Sequence, residues 1–233
     1  MQLPSLLRRL GLALAVLGLA LEVLAQSPTA PRPSYAELVD PLTGTLSSYE
    51  LSAGNTYPVI SRPWGMNSWT PQTGKMGDGW QYTYTAQKLC GIKQTHQPSP
   101  WIGDYGQFAF LPMVDASPRF GDEERASYFS HKAERAHPYS YEVYLADYDT
   151  ELRLAPTERA AVCEITYPSY SKPEERWLII DAYDGGSELR QISPRTLVGV
   201  SRRNSGGVPA SFGCYFIFTF EEPISLVQFK ETK

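Results

Sequence analysis

Cysteine is scarce: Cys90, Cys163 and Cys214 are the whole supply in 233 residues. An odd count at wide spacing excludes a disulfide framework and leaves room for one bridge at most. No Cys-x-x-Cys pair points to a metal site, and only three histidines are present, His96, His131 and His137. The chain has no Gly-x-Gly-x-x-Gly after a strand, no P-loop, no His-Glu-x-x-His and no Gly-x-Ser-x-Gly, so the usual signatures of dinucleotide, nucleotide, zinc-protease and serine-hydrolase chemistry are missing. No Lys/Arg cluster stands out and the net charge is −4, which gives nucleic-acid binding no support. Past the first 25 residues there is no further long apolar run, no internal repeat and only one short helical stretch.

What the chain does have is aromatic side chains, 12% of its residues, with five Trp and fifteen Tyr. That content argues against disorder and supplies many planar, amphipathic surfaces. The N-terminus, "MQLPSLLRRLGLALAVLGLALEVLAQ", carries Arg8 and Arg9 and then an apolar run from Leu10 to Leu21. Val23-Leu24-Ala25 fits a small-residue cleavage rule, which predicts a signal peptide over 1–25 and a periplasmic or extracellular protein. The run is short for a membrane span and has Glu22 near its end, so no membrane segment is expected in the mature chain. Residues 26–38, with "SPTAPRPS", form an exposed leader.

From Tyr35 to about Phe120 the sequence is loop-rich, and from Tyr139 it turns to strands. In "YSYEVYLADYD", Tyr141, Val143 and Leu145 share one face; in "TELRLAPT", Leu152 and Leu154 point in while Glu151 and Arg153 point out. "AAVCEITYP" sets Ala161, Cys163, Ile165 and Tyr167 together, "RWLIIDAY" is a mostly buried run, and "FGCYFIFTF" alternates Cys214, Phe216, Phe218 and Phe220 against Tyr215, Ile217 and Thr219. Turn signals separate these runs: "DYDT", "PSYSKPEE", "DGGS" and "RRNSGGVP". The pattern predicts an all-β fold, a large antiparallel β-sandwich, with one short helix near "DEERASYFSHKAER". On that helix His131 and Glu134, at i and i+3, would lie on a solvated face. The aromatic run "CYFIFTF" and the apolar "PISLVQF" end the chain without a cap, so a truncated chain whose missing part covers this edge is expected, against a complete small domain as the alternative.

The chemistry-bearing residues gather in the first half. "AGNTYPVISRPWGMNSWTPQTGKMGDGWQYTY" and "QTHQPSPWIGDYGQ" hold Trp64, Trp69, Trp80 and Trp101 together with Asn55, Asn67, Asp78, His96, Asp104 and many glycines. An indole presents a flat apolar face to the C–H face of a sugar, and nearby amides, imidazole and carboxylate bond its hydroxyls. Glycines such as Gly54 let a ligand approach the backbone. The mixture suits a carbohydrate better than an apolar ligand. Trp64, Trp69 and Trp101 admit a core and a ligand-facing placement equally, Trp177 belongs to the core of its strand, and Trp80, at a loop–strand junction, is well placed to project. Alone, His96 and Asp104 would be a structural histidine and a turn residue. Ser169-Tyr-Ser-Lys172 matches Ser-x-x-Lys without companion motifs and is a chance match.

In order along the chain, "GNTYP", "PWGMNSWTPQTG", "GDGWQYTY", "GIKQTHQPSPWIGDYGQFAFLP", "FSHKAERAHPYSYEVYLAD" and "TERAAVCEITYP" resemble the N-terminal domain of glycoside hydrolase family 92, over about Val39 to Phe220. The resemblance implies a supersandwich-like domain over 39–233, part of a calcium-dependent exo-α-mannosidase, with α-1,2 linkages of mannose-containing glycans as substrate. It implies a second domain, an (α/α)6 barrel, which is absent from this chain and brings the general acid, the general base and the calcium ligands. No catalytic or metal-binding residue is therefore assigned here. The substrate-binding residues it implies are Trp80, lining the leaving-sugar subsite, Gly54 and Asn55 near the mannose pocket, and His96 and Asp104 on the loop that frames the domain junction. The chain alone is expected to be inactive; a free-standing carbohydrate-binding sandwich is the alternative, and a structural sandwich in an exported assembly a third.

Overall fold

The computed structural model describes residues 34–46, 56–62, 64–74, 82–95, 108–182, 187–202, 209 and 211–226. The chain divides into two compact units, Met1–Leu38 and Val39–Lys233. In the first, the described part is a 3-10 turn, Tyr35–Leu38, with no buried residue. The segment expected to be a signal peptide, 1–25, lies outside the described residues, as does most of the leader.

The second unit is nearly all β, and its strands pair antiparallel throughout. A central sheet is made by β1 (Ser68–Gln72), β3 (Gly91–Thr95), β4 (Phe108–Val114) and β10 (Arg176–Asp181), in that order. A second sheet is a meander of β6 (Arg135–His137), β7 (Ser140–Leu145), β8 (Thr150–Pro156) and β9 (Ala161–Thr166). A third holds β11 (Glu188–Ser193), β12 (Thr196–Ser201) and β13 (Cys214–Thr219), and β2 (Lys88–Leu89) pairs with β5 (Ser127–Tyr128).

The expected strands form, and most show the expected faces; the run "RWLIIDAY", expected to be mostly buried, forms β10 with only Ile179 fully buried and most of its other side chains half-buried. Tyr141, Val143, Leu145, Leu152 and Leu154 are all buried, while Tyr144, Arg153 and Ala155 between them are exposed. On β13 Phe216 and Phe218 turn inward, and Tyr215 and Ile217 face out. Phe216 stacks on Phe108 at 4.3 Å, and Phe218 meets Phe108 and Phe110 edge-on at 5.6 and 5.9 Å. These rings seal the third sheet onto one face of the central sheet. Leu111 and Met113 point the other way along β4, because successive side chains alternate. Both are fully buried, and β8 packs against β4 on that side. The central sheet is thus covered on both faces.

That double cover explains where the sequence expectation fails. The stretch from Tyr35 to Phe120 is not simply loop: β1, β3 and β4 run through it, and all but two of their residues are buried. A strand buried on both faces loses the alternation that marks a half-buried one. The helix near "DEERASYFSHKAER" shrinks to α1, Asp122–Arg125. Ala126 is already extended, Ser127 and Tyr128 enter β5, and residues 131–133 form a turn. His131 and Glu134 therefore share a tight turn, and Glu134 is buried.

Arg125 ends α1 inside the protein, at 1% exposure. Its Nε donates to the Cys90 carbonyl at 2.8 Å, and its Nη1 to the Phe120 carbonyl at 2.6 Å and to Asp181 at 3.0 Å, while Nη2 pairs with Asp122. One guanidinium so ties α1 to the start of β3 and the end of β10. All three cysteines are free thiols.

Candidate functional site

The five residues named for substrate binding, Trp80, Gly54, Asn55, His96 and Asp104, lie outside the described residues, as do Asp78 and Trp101. Their flanks are described. Gly74 precedes and Tyr82 follows the segment with Trp80; Thr95 precedes and Phe108 follows the segment with His96 and Asp104; Thr56 follows Asn55.

In the β1–β3 ladder Ser68 pairs with Thr95 and Gln72 with Gly91. Thr95 and the Gln72 end are four residue steps apart, about 13 Å along the strand. The strands alone do not bring the flanks together. Hydrogen bonds do. The Tyr57 and Thr95 hydroxyls meet at 3.1 Å in the interior. Thr56 Oγ1 donates to the Gly44 carbonyl at 2.9 Å, and the Tyr84 amide donates to the Thr45 carbonyl at 3.0 Å. Gly44 has φ of 82°, and a Cβ there would stand 3.1 Å from Thr56 Oγ1, so the turn needs glycine twice over. One string of contacts thereby joins the residue before His96, the residue after Asn55 and the Tyr82–Tyr84 segment that follows Trp80 in sequence.

The Tyr82–Tyr84 segment is held by a buried carboxylate. The Glu134 carboxylate has no solvent-exposed side-chain surface. Its Oε1 accepts from the Tyr141 hydroxyl at 2.7 Å, and its Oε2 from the Tyr82 hydroxyl at 3.1 Å. Burial, reinforced by the Glu134 charge, pushes both phenols far above their ordinary range, so both stay donors. His131 Nδ1 lies 2.6 Å from Glu134 Oε2, and its Nε2 lies 2.6 Å from the Tyr84 carbonyl. An acceptor faces each ring nitrogen. The ring also stacks on Tyr84 at 4.0 Å, 6° from parallel. Tyr82 and Tyr84 are thus both held by the 131–134 turn.

Beside this lies a polar floor. On one face of β1 and β3, Thr70 pairs across the ladder with Lys93 and Ser68 with Thr95, and Thr70, Gln72, Lys93 and Thr95 are buried. A buried lysine is rare in a sandwich core. Sequence patterning did not single out Lys93, Tyr82 or Arg125, and it placed Glu134 on a solvated helix face, whereas all four are buried. Of the three tryptophans left open, the two among the described residues resolve in opposite ways. Trp69 is core, 7% exposed and edge-on to Phe108 and Phe110, whereas Trp64 is 90% exposed. Trp177 packs against the core and donates its indole N–H to the Asp115 carbonyl at 2.8 Å.

A groove of about 750 Å³ lies on the outer face of the second sheet, between Lys132, Glu142, Tyr144, Asp149, Glu151 and Arg153. Its charges pair locally, Arg153 with Glu151 at 3.0 Å. Among the described residues no group of three or more His, Cys, Asp or Glu could hold a metal ion, and no helix is long and apolar enough to cross a membrane.

The model of the glycosyl hydrolase family 92 N-terminal domain matches residues 38–233. The chain belongs to this family. No curated protein matches significantly. Among solved structures, a family 92 inverting mannosidase of Bacteroides thetaiotaomicron is 42% identical with a TM-score of 0.74, over 81% of this chain and 25% of that one. A family 92 α-mannosidase of the same organism, in complex with mannoimidazole, is 26% identical with a TM-score of 0.61, again over 81% and 25%. The family 92 chain described here spans about a quarter of the length of these structures.

Proposed function

We propose that this family 92 domain is the glycan-facing part of a calcium-dependent exo-α-mannosidase that acts on α-1,2-linked mannose and is exported from the cytoplasm. The observation that carries the reading is the string from Thr95 through Tyr57, Thr56 and the Gly44–Thr45 turn to Tyr84, which holds the flanks of three sugar-suited segments together. On this reading the Trp80 indole stacks on the leaving sugar, Asn55, His96 and Asp104 bond hydroxyls, and Gly54 lets mannose approach the backbone. The segment over 1–25, with its paired arginines and apolar run, supports export.

Hydrolysis with inversion needs an acid and a base carboxylate on opposite sides of the glycosidic bond, with room for a water between. We assign neither to this chain. The described residues do not fit a calcium cage either. We place both carboxylates and the calcium ligands on the (α/α)6 barrel proposed as this domain's partner. Titration of the chain with α-1,2-mannobiose, with and without a chelator, tests this. Binding that ignores the chelator, with no release of mannose, is expected. Mannose release that the chelator abolishes, or no binding at all, would overturn it.

A further inference from the structure

Trp64 and Trp69 stand five residues apart in one motif, yet one is core and the other is nearly all in solvent. The exposed indole is held on a built turn. Arg62 adopts a left-handed φ of 61°, a conformation that costs a non-glycine residue energy. The amides of Ser61 and Arg62 both donate to the Pro138 carbonyl, at 3.0 and 2.8 Å, and the Met66 amide donates to the Glu158 carbonyl at 2.7 Å. Asn67 Nδ2 donates to the Arg159 carbonyl at 2.8 Å. Gly65 admits no side chain: a Cβ there would stand 2.5 Å from the Ser61 carbonyl oxygen. The described residues of the turn, Ser61 and Arg62 before Trp64 and Met66 and Asn67 after it, are thus clamped to the β6–β7 and β8–β9 turns. A ring presented from a fixed backbone loses little freedom on meeting a ligand.

The size of the surface selects the ligand. Among the described residues the exposed apolar side chain near Trp64 in the turn is Met66, and the exposed charged residues of the turn and its clamp are Arg62, Glu158 and Arg159. One indole and one thioether fall well short of the roughly 800 Å² per partner that a stable protein interface needs. A face of that size matches one pyranose ring, with guanidinium and carboxylate groups at the rim to bond its hydroxyls. Both signs of charge at the rim give an anionic ligand no strong preference.

We propose that Trp64 is a sugar-stacking platform, a subsite for a neutral hexopyranose unit of a glycan, in addition to the residues already proposed for substrate. Its choice of mannose as the sugar rests on the proposed function; the platform itself does not. The test is calorimetric titration of the full chain with α-1,2-linked mannotetraose and, separately, with neutral gluco- and xylo-oligosaccharides. The proteins compared are the wild type, Trp64→Ala, Trp64→Phe and Trp80→Ala, with melting temperature and oligomeric state measured for each. Trp64→Ala is expected to weaken mannotetraose binding about tenfold, with the melting temperature held and affinity partly restored by Trp64→Phe. Loss of binding to another neutral glycan, with no mannoside binding in the wild type, would keep the platform and refute mannose. Binding weakened by Trp80→Ala and untouched by Trp64→Ala would overturn the platform and leave the proposed function standing. No glycan binding, or a wild-type oligomer that Trp64→Ala makes monomeric, would overturn the platform as well.

Discussion

The Tyr82 hydroxyl lies 3.1 Å from Oε2 of Glu134, a carboxylate that reaches no solvent. Tyr141 and His131 converge on the same group. Three donors around one buried acceptor make Glu134 the knot that fixes the Tyr82–Tyr84 segment to the second sheet.

Glu134→Ala removes the acceptor and leaves two buried phenols unpaired. Each unsatisfied group costs about 1–3 kcal/mol, so a loss of roughly 3 kcal/mol is expected, or about 6–12 °C in a thermal melt. Tyr82→Phe, which leaves the carboxylate two donors, should cost only about 1 kcal/mol. Equal losses for the two would show that Glu134 is not the shared centre.

Arg125 behaves differently, because its cation is spread over two backbone carbonyls and two carboxylates. Arg125→Ala removes the donors to Asp181, Asp122 and the Cys90 and Phe120 carbonyls and is expected to cost about 3–5 kcal/mol. Arg125→Lys should recover little, since a compact ammonium cannot reproduce the planar fork that reaches four partners from three nitrogens. Urea unfolding of both variants checks this; a lysine variant as stable as the wild type would contradict it.

The cysteines set an alkaline limit. Burial pushes the Cys90 and Cys163 thiols up to about 12. An unfolded cysteine titrates near ~8.5, so the fold favours the neutral thiol. The stability this contributes is complete below about pH 8.5 and is lost as pH rises toward 12. Unfolding midpoints should hold from pH 7 to 8 and then fall, and a Cys90→Ala/Cys163→Ala variant should fall less over the same range. An equal slope in the variant would refute this assignment. The raised phenols of Tyr82 and Tyr141 act with the same sign at higher pH.

The second half of the fold was legible because its strands are half-buried. Leu152 and Leu154 point in while Glu151 and Arg153 point out, and hydrophobicity follows the pleat. In β1 and β3 both faces are covered and polar groups are buried, so Lys93 and Gln72 interrupt any apolar pattern. The i, i+3 spacing of His131 and Glu134 fits a helix as well as the tight turn that forms. What decides for the turn is the entry of Ser127 and Tyr128 into β5, a pairing with Leu89 and Lys88 nearly forty residues upstream. The grouping of sugar-suited residues was visible in composition. The contacts that hold their flanks, Tyr57 to Thr95 and Thr56 to Gly44, join residues with no local pattern in common.

The central claim is that the segment carrying Trp80 meets a mannoside. The dissociation constant for α-1,2-mannobiose, wild type against Trp80→Ala at matched melting temperatures, tests it most directly. Loss of one aromatic platform should cost about 1–3 kcal/mol, a weakening of roughly ten- to a hundredfold. An unchanged dissociation constant would contradict the claim.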